Sequence, residues 1–425
     1  MKVRTVLMVG LVGIWLWVGI PVWAQEGGQP YTIQHSDSLW KLAEKYLGDG
    51  NLYPLIVQAT AKKAQADPSY AVIGDANLVH PGQKIWIPAQ ADTPTAEPAA
   101  PGAAAPAPAG KIAFAFWNPA PGRCTYEVNI IDVAACWRGP EECQAARRIF
   151  PLNNASEPAL SPDGQRLAFR GWGAIPDELQ PGQAHPYKDC AEPAAERWLQ
   201  VATIDGTDVR SATGYFEDSH PDWSPDGQRV LFDTARIGDG ISRIMFFYAT
   251  GSGEEDLRIA GQQPSWAPDN DRFVYRGCDL TGNRCGLWLA RAVPVKSWEA
   301  GANLLGPVLE EPEAAHPDWS PVGDEIVYQS PAGGSWDLYL IGADGTGKRR
   351  LTSDPAVEGL PAWSPDGRWI AYLSNAGGNW GIWVIPAAGG ASRQIFAFDG
   401  GQFSPAAVEP YGVRDWLDEQ ISWSP

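Results

Sequence analysis

Cationic residues and histidine are scarce in this chain. Its 425 residues carry 32 Lys and Arg against 50 Asp and Glu, a formal charge of −18, and only 5 His. A surface so poor in cations lacks the electrostatic footprint that a nucleic-acid backbone or an anionic bilayer requires. There is no Gly-x-Ser-x-Gly elbow and no Cys-x-x-Cys. Their absence removes the usual sequence signs of an α/β-hydrolase nucleophile and of a thiol redox pair. Gly342 to Arg349 looks like a phosphate loop but has Arg349 where a Ser or Thr would follow Lys348, so turn chemistry explains it. Charged residues make up 19% and hydrophobic residues 44%, the balance of a packed globular protein.

What the chain has in abundance is one phrase, repeated. His220-Pro221-Asp222-Trp223-Ser224-Pro225-Asp226-Gly227 recurs around Leu160, Trp266, Trp319 and Trp363, and a last fragment, Ile421-Ser422-Trp423-Ser424-Pro425, ends the sequence. In Ser-Pro-Asp-Gly, Pro presets its φ, Asp bonds back to the chain and Gly takes the positive φ that leaves the turn. The runs that follow, such as Val230-Leu231-Phe232 and Ile370-Ala371-Tyr372, are continuously apolar, as strands covered on both faces are. Third and fourth strands are expected after further turns, as in Trp336 to Ile341 and Arg349 to Thr352. Four strands per unit with recurring aromatic and Gly marks make a propeller blade. Six such units predict a mainly β fold with six blades over residues 111–425, closed by residues 421–425 pairing with 111–116. These repeats resemble the TolB-like family of β-propellers. That resemblance implies a non-enzymatic scaffold that recruits envelope proteins.

The N-terminus is organised differently. Residues 1–24 carry Lys2 and Arg4, an apolar run from Val6 to Trp23 and Val22-Trp23-Ala24, the pattern of a cleaved secretory signal, with an uncleaved anchor as the alternative. Residues 31–88 predict a βααβ unit: strand Tyr31 to Gln34, a helix from Leu39 capped by Ser36 or Asp37, a second helix from about Leu52 to Lys63, and strand Gln83 to Pro88. Ser36-Asp37-Ser38-Leu39-Trp40 after the first strand and Asn77-Leu78-Val79-His80-Pro81-Gly82 before the last resemble the LysM module, although His35-Ser36 stands where that family has Pro-Gly. The resemblance implies binding of peptidoglycan or another GlcNAc-containing glycan by Asp37, Ser38, Leu39, Asn77, Leu78, Val79 and Pro81. Residues 89–110, rich in Ala and Pro, predict a semi-extended tether. The chain is expected to be a monomer in the cell envelope or outside the cell.

Six cysteines in an exported chain favour bridges. Cys278 and Cys285 bracket a turn between second and third strands, Cys136 and Cys143 a turn between third and fourth strands, and Cys124 and Cys190 fall in loops of neighbouring blades. The connectors between blades are acidic: Glu157; Glu217 and Asp218; Glu310, Glu311 and Glu313; Glu358; Asp418 and Glu419. Their convergence at the channel mouth would form a negative funnel for a cationic protein segment or a divalent cation. The insertion from Gly171 to Glu196 is expected on the same face. His220 and His316, each preceding a Pro-Asp, would set Asp222 and Asp318 toward the channel, where two His and two Asp could hold a metal such as calcium. Gln263, Leu360, Ala159 and Ala362 at equivalent places break that pattern, so no cofactor is assigned. The alternative function is a glycan or peptide hydrolase using acidic residues at the mouth.

Overall fold

The computed structural model describes residues 28–34, 39–47, 53–71, 73, 79–88, 107–118, 125–152, 155–171, 198–215, 217–251, 253–398, 407–409, 412–414 and 418–425. The N-terminal signal, the helix cap at Ser36 and Asp37, Cys124, Cys190 and nearly all of the long insertion lie outside the described residues. The chain divides into two compact units, residues 1–104 and 105–425.

In the first unit, strand Gly28–Thr32, helix Leu39–Leu47, helix Tyr53–Ala66 and strand Lys84–Pro88 follow in order, the two strands pairing antiparallel. The first strand begins earlier than expected because Gly28 and Gln29 extend the ladder onto Pro88 and Ile87. Leu39, Leu42 and Ala43 on one helix face meet Ile56, Ile85 and Ile87 in a small core. Helical spacing and strand alternation deliver both faces to the same place. No described helix is long and apolar enough to cross a membrane.

The second unit is a β-propeller. Each repeat folds as the turn chemistry dictates. At Ser224 to Arg229 the Ser224 hydroxyl donates to Asp226 Oδ1 (2.6 Å), Gln228 N–H donates to the same oxygen (3.0 Å), and Gly227 takes φ 67°. Four sheets stand alone as four-stranded blades. One contains Ile421–Ser424, Lys111–Asn118, Thr125–Asp132 and Arg148–Ile149, so the C-terminal strand zips onto the first strand of the domain, with Trp423 opposite Ile112. Ala407–Glu409 pairs with Gly412–Arg414 as a small two-stranded ribbon, and seven further strands form one sheet, in place of the two separate blades expected there. The cause is local: Glu254–Trp266 runs unbroken for 13 residues, its first half pairing with Arg243–Tyr248 and its second half with Arg272–Gly277. The innermost strands adjoin one another around an axis, and Glu358–Trp363 adjoins Ile421–Ser424 to close the ring. Apolar residues between successive sheets form the core; Trp223, Trp319 and Trp363 are all buried there. These three tryptophans therefore serve blade packing.

Cys278 and Cys285 are joined across the expected hairpin, and Cys136 is joined to Cys143. The second bridge does not bracket a simple turn. It ties two short helices, Val133–Arg138 and Pro140–Ala146, whose junction is Gly139, and Asp132 caps the first by accepting from Ala135 N–H (2.7 Å).

Closure makes Trp423 a structural keystone: it is buried, and its indole N–H donates to Ala109 O (2.9 Å). Trp423→Ala is expected to cost about 3–5 kcal/mol, the range for a large buried aromatic, measured by urea unfolding of residues 105–425. A loss under about 1 kcal/mol would mean the ring does not depend on this seam.

Candidate functional site

A cavity of about 390 Å³ runs along the axis, lined by the innermost strand of every repeat. Much of its wall is built by a bulge that recurs in five of the six innermost strands. The residue before the repeated Pro is left-handed: Glu157 (φ 49°), His220 (52°), Gln263 (54°), His316 (47°) and Leu360 (50°). The ladder slips at each of these positions, as an extra residue in one strand requires. A bulge frees a backbone N–H, and here each is satisfied by a side chain of another innermost or second strand. His220 N–H donates to Glu157 Oε2 (2.9 Å), Gln263 N–H to Asp233 Oδ2 (2.8 Å), His316 N–H to Gln263 Oε1 (3.0 Å), Leu360 N–H to Gln329 Oε1 (2.6 Å) and Glu157 N–H to Glu419 Oε2 (3.1 Å).

Two residues further along, a second set of bonds crosses from blade to blade. Asp222 Oδ2 accepts from Trp266 N–H (2.7 Å), Asp318 Oδ2 from Trp363 N–H (2.7 Å), and Ser265 Oγ from Trp319 N–H (3.0 Å). Asp222 and Asp318 do face the cavity, as expected. Both are half-buried in that wall, and desolvation, with the nearby Asp318 charge, pushes Asp222 up to about 8; desolvation pushes Asp318 up to about 7.

The two histidines are held, not open. His220 Nδ1 lies 2.7 Å from Asp233 Oδ2. The Gln263 amide donates to His316 Nε2 (2.9 Å), which makes that nitrogen the acceptor and the ring neutral. The rings meet edge to face, 5.8 Å apart. Among the described residues no group of three or more His, Cys, Asp or Glu is arranged to hold a metal ion.

The acidic connectors do not form an open funnel. Glu157, Asp218, Glu358 and Glu419 are buried. Glu157 and Glu419 cap bulges, and Asp218 is held by Arg236 (2.9 Å). Glu310 pairs with Arg284 (2.6 Å) and Glu311 with Lys348. Glu217 is half-buried and Glu313 exposed. Carboxylates already spent on amides and guanidinium groups are a poor starting point for glycosidase chemistry, which needs a free pair. What remains open is a second, polar hollow that shares His220, Gln263 and His316 with the axial cavity. It adds Gln262, Arg276, Glu313, Trp336 and Asp418. Sequence reasoning missed Arg276 and Trp336, which carry no repeat signature.

In the first unit, Leu39 is 1% exposed and belongs to the core, so it cannot form a groove floor. Val79 packs partly against that core and Pro81 is exposed. Asp37, Ser38, Asn77 and Leu78 lie outside the described residues.

The raised carboxyl groups fix a pH dependence. The folded state keeps protons on Asp222 and Asp318 that the unfolded chain releases near pH 4. Their stabilising contribution is therefore complete below about pH 4, erodes as pH rises and is gone above about 8. Urea midpoints of residues 105–425 should fall between pH 5 and 8, and fall less in the D222N/D318N double variant, whose amides still accept from Trp266 and Trp363. Equal slopes would show that these two groups titrate normally.

The family model described as the TolB beta propeller domain matches residues 309–414. The Tol-Pal system protein TolB of Anaeromyxobacter dehalogenans (strain 2CP-C) is 28% identical over 201 residues, covering 45% of this chain and 42% of that protein. The putative tricorn protease homolog 2 of Streptomyces coelicolor is 28% identical over 228 residues, covering 50% of this chain and 17% of that protein. The chain thus spans less than half the length of these curated relatives. The crystal structure of TolB from Acinetobacter baumannii superposes with a TM-score of 0.52 at 16% identity, covering 74% of this chain and 67% of that one. Residues 105–425 fold as a β-propeller similar to that of TolB.

Proposed function

We propose that the chain is a non-enzymatic envelope protein whose propeller presents its polar mouth to a protein partner while residues 31–88 engage a GlcNAc-containing glycan. We count the ring as six blades, the seven-stranded sheet supplying two that share Glu254–Trp266. The observation that carries the partner reading is the mouth itself, where Arg276, Glu313, Trp336 and Asp418 gather beside His316 over a wall whose own polar groups are internally bonded. An aromatic ringed by charges of both signs suits a peptide segment. The similarity to TolB proteins supports the same reading by analogy. The glycan reading rests on the βααβ order and on the LysM resemblance; Val79 and Pro81, with Asp37, Ser38, Asn77 and Leu78, would meet the sugar.

Two assays test the halves separately. The mature full-length chain should pellet with insoluble peptidoglycan while residues 105–425 stay in the supernatant; pelleting of both, or of neither, removes the glycan reading. In co-purification from envelope fractions, Trp336→Ala should lose a partner that Trp298→Ala, 77% exposed and absent from the mouth, retains. Retention by both variants removes the mouth as the docking face.

A further inference from the structure

Glu358 has no counterpart to the arginine that serves the equivalent carboxylate elsewhere in the same ring. Asp218 and Glu358 each open an innermost strand, Asp218–Trp223 and Glu358–Trp363. Arg236, two residues past strand Arg229–Thr234, reaches back to Asp218 through Nη2 (2.9 Å to Oδ2) and also bonds Glu254. Ala376 holds the same place past strand Trp369–Ser374, and the local backbone matches: Arg236 N–H donates to Thr234 Oγ1 (3.2 Å), Ala376 N–H to Ser374 Oγ (3.1 Å). An alanine can offer Glu358 nothing.

Glu358 is fully buried, and among the described residues neither carboxyl oxygen has a hydrogen-bond partner. Every titratable group around it is acidic or already engaged. Asp337 faces it from strand Asp337–Gly342 and Asp354 from the connector; Thr352 lies beside it outside bonding geometry. Tyr372 faces it from strand Trp369–Ser374. Arg350, the cation that acts on it among the described residues, is spent on Asp337 Oδ2 (2.8 Å) and Thr352 O (2.8 Å). Burial, then Asp354 and Asp337, push Glu358 up to about 8, whereas Arg236 opposes burial at Asp218.

The position connects directly to the mouth. Glu358 N–H donates to Trp336 O (2.9 Å), and Trp336 lines the polar hollow. Ser335 Oγ stitches the same loop to Asp337 (3.2 Å) and to Asp354 O (3.4 Å). We propose that Glu358 is a proton-controlled latch. As a neutral acid it keeps residues 352–358 packed against the loop carrying Trp336; once ionised, a buried charge without a cation drives the two segments apart and reshapes the mouth. The effect on a partner rests on the docking role proposed above; the latch does not.

Hydrogen exchange of the mature chain without any partner tests it, with rates at pH 6 to 9 divided by intrinsic rates. Residues 331–340 of the wild type should lose about tenfold or more protection between pH 6 and 9. Glu358→Gln, neutral throughout, and Ala376→Arg, which restores the missing cation, should both keep it. A wild-type profile that coincides with both variants overturns the latch; if Glu358→Gln does not fold, Ala376→Arg against wild type decides. If the latch opens but partner capture is the same at pH 6 and 9, the latch stands and the docking face at Trp336 falls.

Discussion

The whole propeller depends on how it satisfies one backbone N–H in each of five repeats. A left-handed residue before a proline turns the innermost strand inward and leaves its amide without a ladder partner. An orphan of that kind in a channel wall would cost about 1–3 kcal/mol at each repeat. Instead a carboxylate or primary amide from a neighbouring strand accepts it: Glu419 for Glu157, Glu157 for His220, Asp233 for Gln263, Gln263 for His316, Gln329 for Leu360. Two of these acceptors, Glu157 and Gln263, are themselves bulge residues, so there one repeat's deformation supplies the next repeat's cap. The ring is a chain of mutual dependence, and closure through Ile421–Ser424 joins its two ends.

This constraint also decides where the negative charge goes. Several of the carboxylates that make the chain so acidic are buried as structural acceptors, and their burial is tolerated because each has an amide, a guanidinium or a proton. Asp222 and Asp318 are pushed up because they are desolvated in a wall with no lysine or arginine, Asp222 also feeling the charge of Asp318. Glu358 keeps a proton because its arginine is missing.

Much of this architecture could be read from the sequence. Ser-Pro-Asp-Gly has a turn mechanism in every residue, the apolar triplets after it mark strands covered on both faces, and Ile421 to Pro425 repeats the strand that opens each unit. Other features were hidden for physical reasons. A residue before proline is ordinarily extended, and the left-handed position is filled by Glu, His, Gln and Leu, which share no chemistry. The fused seven-stranded sheet arises because Leu257 to Gln263 contains no Pro-Asp-Gly punctuation to end a strand. Acidic connectors looked like a funnel because the sequence shows charge but not the amides to which it is committed. Helical spacing identified Leu39 as apolar, yet only the packing of Ile56 and Ile85 around it shows that it serves the core and not a groove.

The most direct test of the shared-cap ring is amide exchange at the bulge residues themselves. Native-state exchange of the propeller should place the amides of His220, Gln263, His316 and Leu360 among the slowest, opening only with global unfolding, even though they lie outside the regular ladder. Exchange as fast as in the hairpin turns at Gly227 or Gly345 would contradict it, since the amides would then be open to solvent and the caps incidental.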